Sequence, residues 1–387
     1  MLSNIKRIPF LQAVIFALIC CYFTLFVACA GRIRISEFDS VEHWSEFGGG
    51  PLHENRRTDN YDEELTLLFK LKPRSMVGTT VVTGDNTVFC CTQKGMFQAF
   101  NLTKGKEIGL IKIKSPMLSA PVYNNRILYF TTIEGKYTIR AYNVAKAKYA
   151  WRENLGIFES PLTVSGDKLF AANRSGTAYC IDKNTGEVIW SYKADSEIFS
   201  GLLVIDNMVF IGSLNGVITS VDHGTGEKIW EYDTGQKLRA TPSSDGNRIF
   251  WGTLDNSMIA LDARSGQQLW RFTTGGAVFT TPSVAGSCII FGCNDGVVYS
   301  LNPITGSEKW RFNVGAVVNT SCITVGSRIF FGALNEKIYA LDSNDGTPLW
   351  EYPVEGRIVA NPAYYDGKLI FPVEHRFLYV FGITEGS

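Results

Sequence analysis

The chain has 387 residues with 37 basic and 37 acidic side chains, a formal net charge of zero, and 45% apolar residues. A neutral chain with this much core material excludes wholesale disorder and a polybasic nucleic-acid binder. Length alone suggests two or three domains, a prior that an internal repeat overturns.

Lys6 and Arg7 precede an uncharged apolar stretch from Ile8 to Ala30. About 20 apolar residues span a bilayer, so this is an export signal or a membrane anchor. It ends in Phe26-Val27-Ala28-Cys29, small residues leading into a cysteine. That ending resembles the lipobox of bacterial lipoproteins, which implies a lipoprotein-type signal peptide over residues 1–28 and a lipid on Cys29. Plain cleavage with secretion and an uncleaved N-terminal anchor are the alternatives. All three export the rest of the chain. Residues 29–64 read as a tether and lead-in segment.

Leu65 to Leu71 forms a lone strand, and from there the chain is periodic. Trp190, Trp230, Trp270, Trp310 and Trp350 stand forty residues apart, and Trp151 precedes Trp190 by thirty-nine. Asp182, Asp222 and Asp262 open the phrase Asp-x-x-(Thr/Ser)-Gly that leads into a Trp, with Asn302 and Asp342 in the later copies. Runs such as Val209-Phe210-Ile211-Gly212 and Ile329-Phe330-Phe331-Gly332 follow each Trp, and a third short run comes next. These are strands and turns: glycine is free to take positive φ, and Asp or Thr bonds the turn backbone. Degenerate copies put Phe69, Gly109 and Trp151 at the first three Trp places, which makes eight. The last repeat ends at Phe377-Leu378-Tyr379-Val380-Phe381 without its own fourth strand. The expected fold is therefore an all-β, eight-bladed β-propeller of four-stranded antiparallel blades over residues 65–382, with a tail at 383–387. The N-terminal strand completes the last blade and leaves the ring no open end.

The recurring phrase resembles the tryptophan-docking motif of the pyrroloquinoline-quinone-type propeller repeats. The resemblance implies that Trp151, Trp190, Trp230, Trp270, Trp310 and Trp350 are packing anchors between blades. Two functional classes share the fold. One is the periplasmic quinone-dependent alcohol and sugar dehydrogenases, with quinone and calcium on the axis. The other is non-catalytic scaffolds, among them the lipoprotein of the outer-membrane β-barrel assembly machinery, similar in length, blade number and lipobox. The stretch Trp44 to Pro51 resembles the lead-in segment before such propellers.

The axial positions separate the classes. About eleven residues after each Trp place the pairs are Thr79-Thr80, Ser119-Ala120, Glu159-Ser160, Ser200-Gly201, Ala240-Thr241, Thr280-Thr281, Thr320-Ser321 and Ala360-Asn361. Small side chains suit a crowded axis. A calcium-quinone site needs several hard oxygen ligands and a carboxylate base, and only Glu159 and Asn361 stand in this column, with Arg239 just before it. The adjacent Cys90 and Cys91 match in letters the vicinal disulfide of those dehydrogenases, but they fall in a second strand, away from the axis, where neighbouring side chains point to opposite faces. Cys90, Cys91, Cys180, Cys288, Cys293 and Cys322 read as buried small hydrophobes. His43, His53, His223 and His375 are scattered and no CxxC occurs, so no zinc spacing is present.

No catalytic, cofactor or metal residue is expected. The expectation is a monomeric, exported, non-enzymatic scaffold at the periplasmic face of the outer membrane, contacting a protein partner, with the barrel-assembly outer-membrane subunit as the candidate. A generic exported module for sensing or adhesion is the alternative, and a quinone dehydrogenase the more distant one. Leu238 and Arg239 resemble the Leu-Arg segment by which the assembly lipoprotein touches the barrel subunit. The alternative for them is the start of an inner strand.

Overall fold

The computed structural model describes residues 32–39, 44–59 and 65–382. Cys29 and residues 1–28 lie outside the described residues. Each forty-residue repeat folds into one blade. In the first, Val82–Gly84, Thr87–Cys91, Met96–Asn101 and Lys106–Lys112 pair antiparallel in that order from axis to rim. Eight such sheets surround the axis. The middle strands are buried almost throughout, as in Met208–Gly212, because neighbouring blades cover both faces. Outer strands such as Lys228–Asp233 alternate exposed and half-buried residues, the pattern of a sheet edge facing water on one side. The last blade consists of Ala363–Tyr365, Lys368–Val373 and Phe377–Gly382, completed by Thr66–Leu71, which pairs antiparallel with Phe377–Gly382. Chain ends over 300 residues apart in sequence thus close the ring with a full ladder, Thr66 opposite Gly382 and Leu71 opposite Leu378.

The tryptophans show how neighbouring blades are joined. In the turn before Trp190, Asp182 Oδ1 accepts the N–H groups of Asn184 and Thr185 at 2.8 and 2.9 Å, and Gly186 takes φ +85°. The indole of Trp151, one blade back, lies on that glycine, where a Cβ would meet ring atoms at 2.8 Å. Its Nε1–H donates to Lys183 O at 2.8 Å. The arrangement recurs with Trp190 on Gly226, Trp230 on Gly266, Trp270 on Gly306 and Trp310 on Gly346. Their Nε1–H groups donate to the carbonyls of His223, Ala263, Pro303 and Ser343 at 3.0 to 3.1 Å. Trp350 has no such seat, because the next blade is the one whose outer strand comes from the other end of the chain and lacks this turn. It packs edge-on against Phe381 at 5.4 Å and stacks with Tyr352 at 5.7 Å. Phe69 takes the Trp role on Gly105. At Gly109, the degenerate Trp place of blade 1, Ile33 fills the space, with its Cα 2.7 Å from where a Cβ would stand.

The stretch read as a tether does more than tether. Residues 32–35 alternate outward Arg32 and Arg34 with buried Ile33 and Ile35, wedged between blades 1 and 2. Ile35 N–H donates to Val144 O at 3.1 Å and Tyr142 Oη donates to Ile33 O at 3.1 Å. Residues 44–57 then cross the axis and give the innermost strands of blades 1 to 7 in turn an acceptor. Trp44 O receives Thr83 N–H, Ser45 O receives Tyr123 N–H, and Glu46 Oε2 receives Val164 N–H. Pro51 O takes Val204, Leu52 O takes Ser244, Glu54 O takes Val284 and Asn55 O takes Thr324. Seven blades are thereby addressed in their chain order. At the seventh, Arg56–Arg57 adds a parallel fifth strand beside Ile323–Val325. An innermost strand in a propeller has one side without a ladder partner, and buried N–H groups require an acceptor; this segment supplies it. The axis is plugged from one end.

Candidate functional site

Beyond the plug, at the opposite end of the axis, lies a cavity of about 220 Å³ floored by Phe47. Its wall is the column of small residues expected at the axis, set just before each innermost strand rather than inside it. The hydroxyls do more than save volume. Ser160, Ser200, Thr280 and Thr320 each donate to the carbonyl that ends their own blade's second strand, at 2.6 to 2.9 Å. Residues one position later join blades: Thr281 Oγ1 donates to Thr241 O at 2.8 Å, Thr241 Oγ1 accepts Gly201 N–H at 2.8 Å, and Asn361 Oδ1 accepts Ser321 N–H at 2.7 Å.

These bonds also correct the alignment at one blade. Ser160 makes the bond that Ser200 makes, so Glu159 belongs one place earlier, with Leu118, Phe199, Arg239, Phe279, Asn319 and Val359. Blade 2 is one residue longer than the others, so that Ser119 and Ser160 stand forty-one residues apart, and a constant step of forty lands on Glu159 instead. This second column rings the cavity mouth. Leu118 and Phe279 are exposed there at 38% each, and Arg239 is exposed with its guanidinium 4.9 Å from the Phe199 ring centroid. Glu159 accepts from Arg174 at 3.2 Å, and Arg174 lies 5.9 Å from the same Phe199 ring. The mouth is thus an apolar collar carrying one paired carboxylate and one arginine spread on an aromatic face. Such a surface, apolar with a few fixed charges, suits a protein contact.

Leu238 and Arg239 separate here. Adjacent residues in extended backbone face opposite ways, and Leu238 is fully buried against Trp251 and the strands of blades 4 and 5. The expectation that Leu238 meets a partner is corrected: only Arg239 of the pair reaches the surface.

The cavity does not fit a calcium-quinone group. Glu159 is the one carboxylate lining it and is held by Arg174, the remaining polar lining is Arg239, hydroxyls and the amides of Asn319 and Asn361, and Phe47 occupies the floor. No three His, Cys, Asp or Glu side chains among the described residues stand together as metal ligands. Cys90 and Cys91 are free and buried, Cys90 facing the core shared with the last blade and Cys91 the core shared with blade 2. Burial pushes both thiols well above the usual range.

The plug holds two buried ionisable groups that sequence reading missed. Glu46 is buried with only the Val164 N–H beside it, and burial raises its carboxyl to about 8. His53 is buried with Nδ1–H on Pro242 O at 3.0 Å and Nε2 3.3 Å from Thr163 Oγ1; burial lowers it to about 4.

A sequence model of the family described as "Outer membrane protein assembly factor BamB" matches residues 135–240, 214–316 and 294–387, together about two thirds of the chain. No curated protein matches it. Among solved structures, BamB from Moraxella catarrhalis is similar with a TM-score of 0.72 at 17% identity, over 83% of this chain and 100% of that one. The computationally designed Ika8 protein gives 0.73 at 17% identity, over 82% and 99%. A quinohemoprotein alcohol dehydrogenase, ADHIIG from Pseudomonas putida HK5, gives 0.76 at 12% identity, over 89% and 81%. At these identities the structures speak for the fold.

Proposed function

The chain belongs to the outer membrane protein assembly factor BamB family, and from that membership we propose that it is a non-catalytic scaffold for the assembly of outer-membrane β-barrel proteins. It is exported, held at the periplasmic face of the outer membrane by lipid on Cys29, and works as a single ring. The observation that carries the reading is the collar at the axis mouth, where Leu118, Phe279 and Arg239 stand exposed above a floor closed by Phe47. A redox enzyme needs room and ligands at this place; a scaffold needs a rigid rim, and the plug and hydroxyl bonds make this one rigid. Arg239, spread on Phe199 and free to form two parallel bonds to a carboxylate, is the anchor we assign to the partner.

A photo-crosslinking amino acid at position 279 or 239, activated in intact membranes and followed by mass spectrometry, tests the assignment. Adducts with a barrel-assembly subunit support it. Adducts only from a rim position such as Ile229, or with no assembly protein, overturn it. Absorbance changes on adding quinone and calcium to the purified chain would overturn the non-catalytic part.

A further inference from the structure

The zero net charge of the chain hides a strong asymmetry. Residues 92–153, which form the outer half of blade 1 and all of blade 2, hold eleven Lys or Arg and three acids, Glu107, Glu134 and Glu153. Much of the excess sits in two outer hairpins. In blades 3, 4 and 7 the turn carries Asp182 and Glu187, Asp222 and Glu227, or Asp342 and Asp345. In blades 1 and 2 the same turn reads Asn101-Leu102-Thr103-Lys104-Gly105-Lys106 and Asn143-Val144-Ala145-Lys146-Ala147-Lys148. Asn101 and Asn143 still accept the turn N–H groups of Lys104 and Lys146, at 2.7 and 2.8 Å. The turn is kept, its negative charge is gone, and two lysines are added in each. All four lysines are exposed, and Arg32 and Arg34 project from the strip wedged between the same two blades.

That strip is also where the chain comes from the apolar stretch. Two residues separate Cys29 from Arg32, three Cα steps with a covalent reach of about 11 Å, comparable with the Debye length of about 8 Å at physiological salt. Ile33 is fixed at Gly109, so any attachment at or just before Cys29 brings this corner of the ring, and no other, to the bilayer.

We infer that the paired hairpins of blades 1 and 2, with Arg32 and Arg34, are a docking face for anionic phospholipid headgroups, which holds the ring on its blade 1–2 edge against the membrane. The inference rests on membrane attachment near Cys29, as proposed above. The occupant is a lipid surface rather than an acidic protein because the patch surrounds the tether itself, and basic clusters beside a membrane attachment bind anionic headgroups electrostatically. Standing on this edge leaves the axis mouth and the blades across the ring clear of the bilayer.

The test is lysine acylation, read by mass spectrometry, on the full chain reconstituted in vesicles with phosphatidylglycerol or with phosphatidylcholine alone. The expected result is about fivefold slower labelling of Lys104, Lys106, Lys146 and Lys148 on the anionic vesicles, relieved by high salt, with Lys228, Lys309 and Lys337 unchanged. Equal labelling of the four in both lipids, with the chain still floating with the vesicles, overturns the docking face and leaves the anchor standing. A chain that does not float overturns both. Protection that requires an added membrane protein assigns the patch to a protein partner and overturns the lipid reading.

Discussion

Glu46 and His53 lie in the same plug and pull its stability in opposite directions with pH. An unfolded Glu titrates near 4.5 and folded Glu46 near 8. Between these values the folded chain keeps a proton that the unfolded chain has lost, so stability is fully present below 4.5 and falls as pH rises toward 8. The slope is about 1.4 kcal/mol per pH unit, or about 5 kcal/mol over the whole window. His53 does the reverse. Its folded value near 4 lies below the unfolded 6.5, so its contribution is present above 6.5 and is lost as pH falls through 4, about 3.5 kcal/mol in all. From 4.5 to 6.5 the two slopes cancel, and above 6.5 Glu46 acts alone. Glu46→Gln keeps a carbonyl for the Val164 N–H and removes the titration. The variant should therefore gain on the parent steadily, by about 4 kcal/mol between about pH 5 and about pH 8, and should expose the His53 slope in its own curve. Urea midpoints followed by tryptophan fluorescence across that range measure the difference, because other titrating groups are common to both chains. Parallel curves for parent and variant would refute the reasoning.

Gly226→Ala forces a Cβ into the Trp190 ring at a φ of +75° and should destabilise by about 3 kcal/mol; Gly166→Ala, also left-handed but with open space around it, should cost about 1 kcal/mol, and equal denaturation midpoints would contradict the docking geometry. Trp310→Phe leaves the Ser343 carbonyl without its donor, whereas Trp350→Phe breaks no such bond, so the former should be worse by about 1 kcal/mol in the same assay. Leu238→Ser should lower stability clearly, read as a drop in the thermal midpoint, while Arg239→Ser should leave stability within about 0.5 kcal/mol of the parent and weaken partner crosslinking instead. Burial holds the Cys180 and Cys293 thiols up at about 11; iodoacetamide should label none of the six described cysteines before unfolding, and stoichiometric labelling of native chain would show an opening that this packing forbids.

The ring was legible because its joints are side chains. Trp190 to Trp350 repeat at an interval of forty, as do the glycines Gly186 to Gly346 that seat Trp151 to Trp310, and a repeat is visible in letters. The unusual closure was legible for the same reason, since Leu65 to Leu71 and Phe377 to Phe381 are each a fragment of a known unit. The plug was not, because residues 44–57 meet the blades mainly through carbonyl oxygens, and every residue has one. Ile33 at Gly109 was invisible because the missing indole and its substitute are 76 residues apart and differ in kind. At the axis the column of small residues was legible but its register was wrong in one blade, where one extra residue between Ser119 and Ser160 let a constant step of forty put Glu159 on the hydroxyl column. Leu238 was misplaced because two adjacent letters were treated as one surface, although extended backbone turns them apart.

The strand Thr66–Leu71 is made among the first of the folded residues and finds its ladder only when Phe377–Gly382 has been synthesised. The axial segment likewise addresses blades that do not yet exist when it leaves the ribosome. Both are therefore held open until the later blades have been made, and a product stopped before Phe377 presents Thr66–Leu71 with no ladder partner, an unzipped margin of the kind by which proteolysis recognises a fragment.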